Sequence, residues 1–350
     1  MNTTSVLGKD WISKNYDEET VKFLKDNLNL SEILSRLIAI RKIKLEDVKL
    51  FLNPKIKNLL PNPFILKDME KTVERTVQSI IKKDKIGIFG DYDVDGATST
   101  ALLGNYFKEI NQKTEIYIPD RKTEGYGPTT KAFESLISKE CKLIFTVDCG
   151  TMSFDTIDFC QKKKIDVLVL DHHQSELQLP NAYSIVNPNR HDDQSKLNYL
   201  CAAGVCFMFL IALSKKLRDA DWFTQNNISE PNLMNYLDLV SLGTVCDVVP
   251  LIGLNRAIVS QGLEIFKKKN NLGLKTLKNI CGIESNLNTY HLGYILGPRI
   301  NAGGRVGRCS HGANLLLSKD SKESFKIASD LEKFNNERKL IENLMLKKIE

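Results

Sequence analysis

The chain has 350 residues, 42% hydrophobic and 26% charged, with a formal net charge of +6. Those proportions belong to an ordinary folded protein and exclude a disordered or collagen-like chain, and the length predicts two domains or one enlarged domain. The modest positive charge tolerates a polyanionic partner without demanding one.

The first 78 residues predict a helical lead-in. "DEETVKFLKDNL", "SEILSRLIAIRKI" and "KLEDVKLFL" carry apolar residues at three-to-four spacing, before "NPKIKNLLPNPFIL" breaks the pattern with three prolines. A helix then resumes at "DMEKTVERTVQSIIKKDK", with Met69, Val73, Val77 and Ile81 on one face. From residue 79 to 318 we expect one larger domain, α/β to about residue 198 and helical from about 199. Strands are predicted at "KIGIFG", "TEIYIPD", "KLIFTVD" and "DVLVLDHH", separated by segments of helical period. Short, β-branched, apolar strands alternating with helices predict a mainly parallel sheet flanked by helices on both faces, an α/β fold.

Beyond "SIVNPN" the chain reads as helical, with glycine-rich interruptions at "SLGTVCDVVPLIG" and "LGPRINAGGRVGR". The run Cys201–Leu213 is too short for a membrane span and predicts a buried helix. Residues 319–350 predict one long amphipathic helix, striped by Phe325, Ala328, Leu331, Phe334, Ile341, Leu344 and Met345 and without a glycine stop at Glu350. Met1–Lys14 has no apolar core to serve as a signal peptide, so a cytoplasmic protein without a membrane partner is expected. Eight cysteines with no C-x-x-C pair read as reduced, packed thiols.

The polar residues gather where such a sheet binds ligands, beyond the carboxyl ends of its strands. Asp91, Asp93 and Asp95 follow the first strand in "GDYDVDG", Asp148 ends the third, and Asp171, His172 and His173 end the fourth. Asp247, in "GTVCDVVPL", joins them from the helical region. Each alone has a plainer reading: a D-x-D run as a solvated turn or helix cap, adjacent histidines as surface, Asp148 as a cap. Together, carboxylates with one or two imidazoles and no thiolate suit Mn2+ or Mg2+, and two such ions about 3.5–4 Å apart suit phosphoryl displacement. Gly96 is expected to let the backbone turn sharply into a helix whose N-terminus favours anions. Arg121 and Lys122, after the second strand, face the same crevice. Arg299 and Arg305 stand among glycines suited to phosphate pairing, and Arg308 reads equally as a phosphate contact or as part of a basic loop. His191, His291 and His311 have no carboxylate-rich setting and are given no role.

"GDYDVDGATSTALL", "TVDCG", "VLDHH", "GTVCDVVPL" and "GPRINAGGR" together resemble the DHH phosphoesterase superfamily and, within it, the RecJ family of single-stranded-DNA exonucleases. The resemblance implies two Mn2+ or Mg2+ ions and 5′-to-3′ release of mononucleotides from single-stranded DNA, in repair and recombination; the alternatives are a DHH-family phosphoesterase acting on oligonucleotides or other small phosphoesters, or a weakly active or non-catalytic DNA-binding relative. It assigns Asp93, Asp95, Asp148, His172 and Asp247 as ligands, with Asp148 bridging. Asp91 joins the metal set and His173 the catalytic set, each as a ligand or as a neighbour touching ligand or substrate. Arg121, Arg299, Asn301 and Arg305 are implied as substrate contacts. A monomer partnered by a helicase and a single-strand-binding protein is also implied. Gly303 and Cys246 stand where the family usually has alanine, and Thr151-Met152 where an isoleucine is usual. Family members continue past the long helix into a further domain, so the chain is expected to be the catalytic half of a longer protein.

Overall fold

The structure, a computed structural model, describes residues 3–268 and 271–349 and divides the chain into two units, 1–58 and 59–350. The first unit holds a two-stranded antiparallel pair, Thr3–Thr4 with Asp10–Trp11, and the helices Glu18–Leu28 and Glu32–Ile40. Asp17 and Ser31 cap these helices, and Leu24, Ile38 and Val48 form the core between them.

The second unit is built on a five-stranded parallel sheet. Its strands are β1 (Lys85–Gly90), β2 (Thr114–Tyr117), β3 (Cys141–Val147), β4 (Asp166–Leu170) and β5 (Ser184–Val186), in the spatial order 2-1-3-4-5. The four predicted strands are present. The fifth, inside "SIVNPN", was not expected, because three residues carry no readable alternation.

Alternation along each strand sorts the helices onto two faces. Phe89, Ile144, Val167 and Val169 point to one face, against Phe133 and Leu136 of α3 (Thr130–Ser138) and Ile157 and Cys160 of α4 (Phe154–Lys162). Phe145 points to the other face and meets Phe107 of α2 (Val94–Glu109) and Phe209 of α5 (Ala202–Asp219), with ring centroids 5.9 and 5.3 Å away. Helix α1 (Met69–Lys82) belongs to this second unit, with Met69, Val73 and Ile80 buried and Thr72 hydrogen-bonded to Ser184 of β5 at 2.7 Å. Helix α5 contains the run Cys201–Leu213 apart from its first residue and is buried as expected, and among the described residues no helix is long and apolar enough to cross a membrane. All eight thiols are free, six of them buried.

The two glycine-rich interruptions are helical over most of their glycines. "SLGTVC" lies inside α6 (Leu237–Cys246), and "GPRINAGGR" is α8 (Gly297–Arg305), entered from a π-helical turn at His291–Leu296. Their glycines permit close helix packing: a Cβ on Gly243 would lie 2.7 Å from Asp95 Oδ1 and 2.9 Å from Ala203 Cβ. The helices α7 (Gly253–Lys268) and α9 (His311–Leu317) and the short helix Leu272–Ile280 also belong to this region, followed by α10 (Ser321–Ile349). Ala328 and Leu331 of α10 are buried, whereas Leu340, Leu344 and Met345 are exposed. The expected continuation of this helix to Glu350 lies outside the described residues.

Asp238, in the first turn of α6, is only 2% exposed, and burial pushes its carboxyl up to about 7. The unfolded chain releases this proton near pH 4 and the folded chain near 7, so stability falls as pH rises across that window. Asp238→Asn removes the slope: between pH 5 and 8 the wild type should lose on the order of 2–4 kcal/mol relative to the variant. Urea unfolding of both at the two pH values measures it, and parallel losses would refute a buried carboxyl.

Candidate metal centre

In a 2-1-3-4-5 sheet the crevice lies between β1 and β3, where strand order reverses. The acidic residues stand at that point. Asp91–Asp95 follow β1, and Asp148 follows β3 with φ 62°, a left-handed conformation that turns its side chain out of the strand direction. Asp93 caps α2, one carboxylate oxygen accepting the Gly96 N–H at 2.9 Å. Asp95, in the first turn of that helix, accepts the N–H groups of Ala202 and Ala203 at 2.6 and 2.9 Å, at the N-terminus of α5. The plain cap reading of the D-x-D run is therefore true, and each cap still leaves oxygen lone pairs for a ligand. Gly96 sits inside the first turn of α2 rather than making a sharp bend; a Cβ there would fall 2.5 Å from the Asp91 carbonyl oxygen.

After β4, Asp171 organises the turn. Its Oδ1 accepts the backbone N–H of His172 at 2.7 Å and faces His173 Nδ1 at 2.8 Å, and its Oδ2 accepts the Thr151 N–H at 3.1 Å. Burial works to raise the Asp171 carboxyl, but the hydrogen bonds from His173 and Thr151 outweigh it and hold it below the usual range. The same bond lifts His173 to about 9. With its backbone fixed in this way, His172 aims Nε2 at three acids: Asp148 Oδ1 at 3.3 Å, Asp247 Oδ2 at 3.6 Å and Asp95 Oδ2 at 3.7 Å.

Among the described residues, three sets of donor atoms each converge within 4.8 Å: Asp91, Asp93 and Asp148; Asp95, His172 and Asp247; and Asp148, His172 and His173. Asp148 and His172 are shared between sets. Asp91 Oδ1, Asp148 Oδ1 and His172 Nε2 are buried without a hydrogen-bond partner. Burial and the neighbouring carboxylates raise Asp91 to about 7, Asp247 to about 8, and Asp95 and Asp148 in the same direction. Asp247 also follows the C-terminal end of α6, where the helix dipole is already negative. Unpaired lone pairs, crowded oxygens and an imidazole nitrogen are relieved together by divalent cations. The residues fit Mn2+ or Mg2+, and the imidazole favours Mn2+.

The expected substrate residues divide. Arg121 stacks over Tyr92, 5.4 Å from the ring centroid, and shares a cavity of about 660 Å³ with Lys122, Arg305 and Arg338. Arg299 turns away: it pairs with Glu332 of α10 and donates to the Ile295 carbonyl. Asn301 accepts the Val94 N–H at 3.1 Å. Arg308 lines a different pocket with His311, Lys326 and Phe334.

Sequence reasoning missed Tyr126, whose hydroxyl lies 3.3 Å from His173 Nε2 and 3.2 Å from the Asp148 carbonyl. Its flanking glycines, Gly125 and Gly127 at φ 80° and 81°, were the available signal. Asn187, bonded at 2.9 Å to Thr151 Oγ1 and to the His173 carbonyl, left none.

The family described as "DHH family, N-terminal domain" matches residues 85–244. A curated relative, the single-stranded-DNA-specific exonuclease RecJ of Bacillus subtilis, is 33% identical over 330 residues, covering 94% of this chain and 40% of that protein. A crystal structure of exonuclease RecJ bound to manganese superposes with a TM-score of 0.72 at 30% identity, over 83% of this chain and 70% of the other. That of RecJ from Thermus thermophilus in complex with Mn2+ gives 0.78 at 26% identity, over 94% and 46%. The chain thus spans about half the length of the curated relatives it matches. With sheet order, acidic cluster and sequence in agreement, the chain belongs to the RecJ family of DHH proteins.

Proposed function

We propose that this chain carries the catalytic centre of a two-metal phosphodiesterase that acts as a 5′-to-3′ exonuclease on single-stranded DNA. The observation that carries the reading is the convergence of five carboxylates and two imidazoles on one crevice, with Asp148 and His172 shared between donor sets. Asp93, Asp95, Asp148, His172 and Asp247 would hold the two ions, with Asp91 beside them. Bound there, the ions would supply an activated water and neutralise the phosphate oxygens of an in-line displacement.

The chain's own residues do the rest. Asp171 fixes the histidine turn, so His172 needs no rearrangement to bind. His173, held cationic near neutral pH by Asp171, stands at the rim where a phosphodiester would enter. Arg121 and Arg305 flank the cavity beside Tyr92 and suit the terminal phosphate, where charge-assisted bonds are strong. Single-strand preference, 5′ polarity, a monomeric state, a cytoplasmic location, and a helicase and single-strand-binding protein as partners are supported by family membership. We read the catalytic domain as starting near residue 59 rather than the expected 79, because α1 bonds to β5, and as ending near 318, with 319–350 as a connecting helix, a reading supported by the exposed apolar residues late in α10.

The test is nucleotide release from 5′- and 3′-labelled single strands with Mn2+. Early mononucleotides from the 5′ label are expected. Cleavage confined to oligomers of a few nucleotides would instead make this a small-substrate phosphoesterase. Arg305→Ala should raise KM about 10–100-fold while leaving Mn2+ affinity unchanged.

A further inference from the structure

Val94 is the peptide between the two ligand aspartates, and its N–H poses a problem that the loop cannot solve alone. It belongs to the first residue of α2, so no carbonyl within the helix can accept from it. The cap at Asp93 serves Gly96 instead, and Val94 is 1% exposed, out of reach of bulk water. The acceptor comes from 207 positions away: Asn301 Oδ1, at 3.1 Å. The same face of α8 carries Gly304, where a Cβ would lie 3.1 Å from the Tyr92 ring. Helix α8 therefore seats the loop on both sides of Asp93, through van der Waals contact at Tyr92 and a hydrogen bond at Val94. A neutral amide suits this place, since a carboxylate would add charge beside a cluster already short of cations.

We propose that Asn301 is a positioning residue of the metal centre, fixing the Val94 peptide and so the spacing of Asp93 and Asp95, and is not a substrate contact. The proposal rests on the metal reading above. Without the amide acceptor, the first turn of α2 must shift to satisfy a buried N–H, and both ligands move with it.

Calorimetric titration of Mn2+ into the metal-stripped full chain tests it. The wild type is titrated first: absence of binding there overturns the metal reading itself, and the role of Asn301 with it. Given wild-type binding, Asn301→Ala should weaken Mn2+ by about 10–100-fold. Asn301→Asp keeps the acceptor and should stay within about threefold of wild type, or bind tighter. Amide exchange at Val94 should quicken in the alanine variant only. Undiminished affinity in Asn301→Ala with a raised KM for DNA would identify a substrate contact and overturn the proposal. Circular dichroism checks folding; if the alanine variant does not fold, a tenfold or greater weakening in Asn301→Asp overturns the proposal as well, because the acceptor is intact there.

Discussion

Asp148→Asn should melt at a higher temperature than the wild type in metal-free buffer, and should bind Mn2+ at least about 100-fold more weakly. Both halves follow from one feature. Asp148 is 2% exposed, its Oδ1 has no hydrogen-bond partner, and burial together with the charges of Asp95 and Asp93 pushes its carboxyl well above the usual range. A carboxyl raised in the folded state costs stability as pH climbs past its unfolded value, so the advantage of the amide should grow from pH 5 to pH 8. Removing the charge should be worth on the order of 1–3 kcal/mol, a few degrees in Tm for a unit of this size. Saturating Mn2+ should reverse the order. At 100 times its Kd the ion stabilises the wild type by about 2.7 kcal/mol and the variant hardly at all. Nucleotide release should fall about 1,000-fold. Differential scanning calorimetry with and without Mn2+ reads the crossing. A variant that melts below wild type without metal would mean that the carboxylate is already satisfied within the protein, and the case for a bridging ligand would fail.

How far the sequence carried depends on what kind of signal each residue leaves. Strands β1 to β4 were legible because buried parallel strands are short apolar runs, and their carboxylates were legible because they follow those runs directly. Asp247 was less directly legible: it was added from the helical region without a strand to place it, since it reaches the crevice from the end of a helix on another part of the chain. The division of labour in "GPRINAGGR" was not legible. Read as a glycine-broken basic loop, it offered all its polar residues to the substrate. As a helix it distributes them by angle: Arg299 toward Glu332, Asn301 and Gly304 toward the D-x-D loop, and Arg305 into the cavity. Glycine misled because the same residue serves loops by its freedom and helix crossings by its lack of bulk. Only the second applies at Gly243 and Gly304.

That distinction yields a sharp contrast between two helical glycines. Replacing a helix glycine by alanine ordinarily stabilises, by about 1 kcal/mol from backbone entropy. Gly204→Ala in α5 should come much closer to that rule, since the atoms nearest the new methyl belong to the Leu200 side chain, at 3.3–3.7 Å, and that side chain need give by only a few tenths of an ångström. Gly243→Ala should break it. Its methyl would lie 2.6 Å from Thr98 Oγ1, 2.7 Å from Asp95 Oδ1 and 2.9 Å from Ala203 Cβ. None of the three yields easily. The Thr98 hydroxyl is bonded to the Val94 and Asp95 carbonyls, Asp95 is held by the Ala202 and Ala203 amides, and Ala203 is part of α5. Helix α6 must back away from α2 and α5, at an overpacking cost of about 1–3 kcal/mol that exceeds the gain in propensity. It takes Asp247 with it, because the Asp247 N–H is bonded to the Gly243 carbonyl at 2.9 Å. Gly243→Ala should therefore lower Tm by several degrees and weaken Mn2+ by about tenfold or more, whereas Gly204→Ala changes neither for the worse. Thermal melts and Mn2+ titrations of the pair measure both effects. Wild-type affinity in a stably folded Gly243→Ala would show that Asp95 and Asp247 do not share an ion.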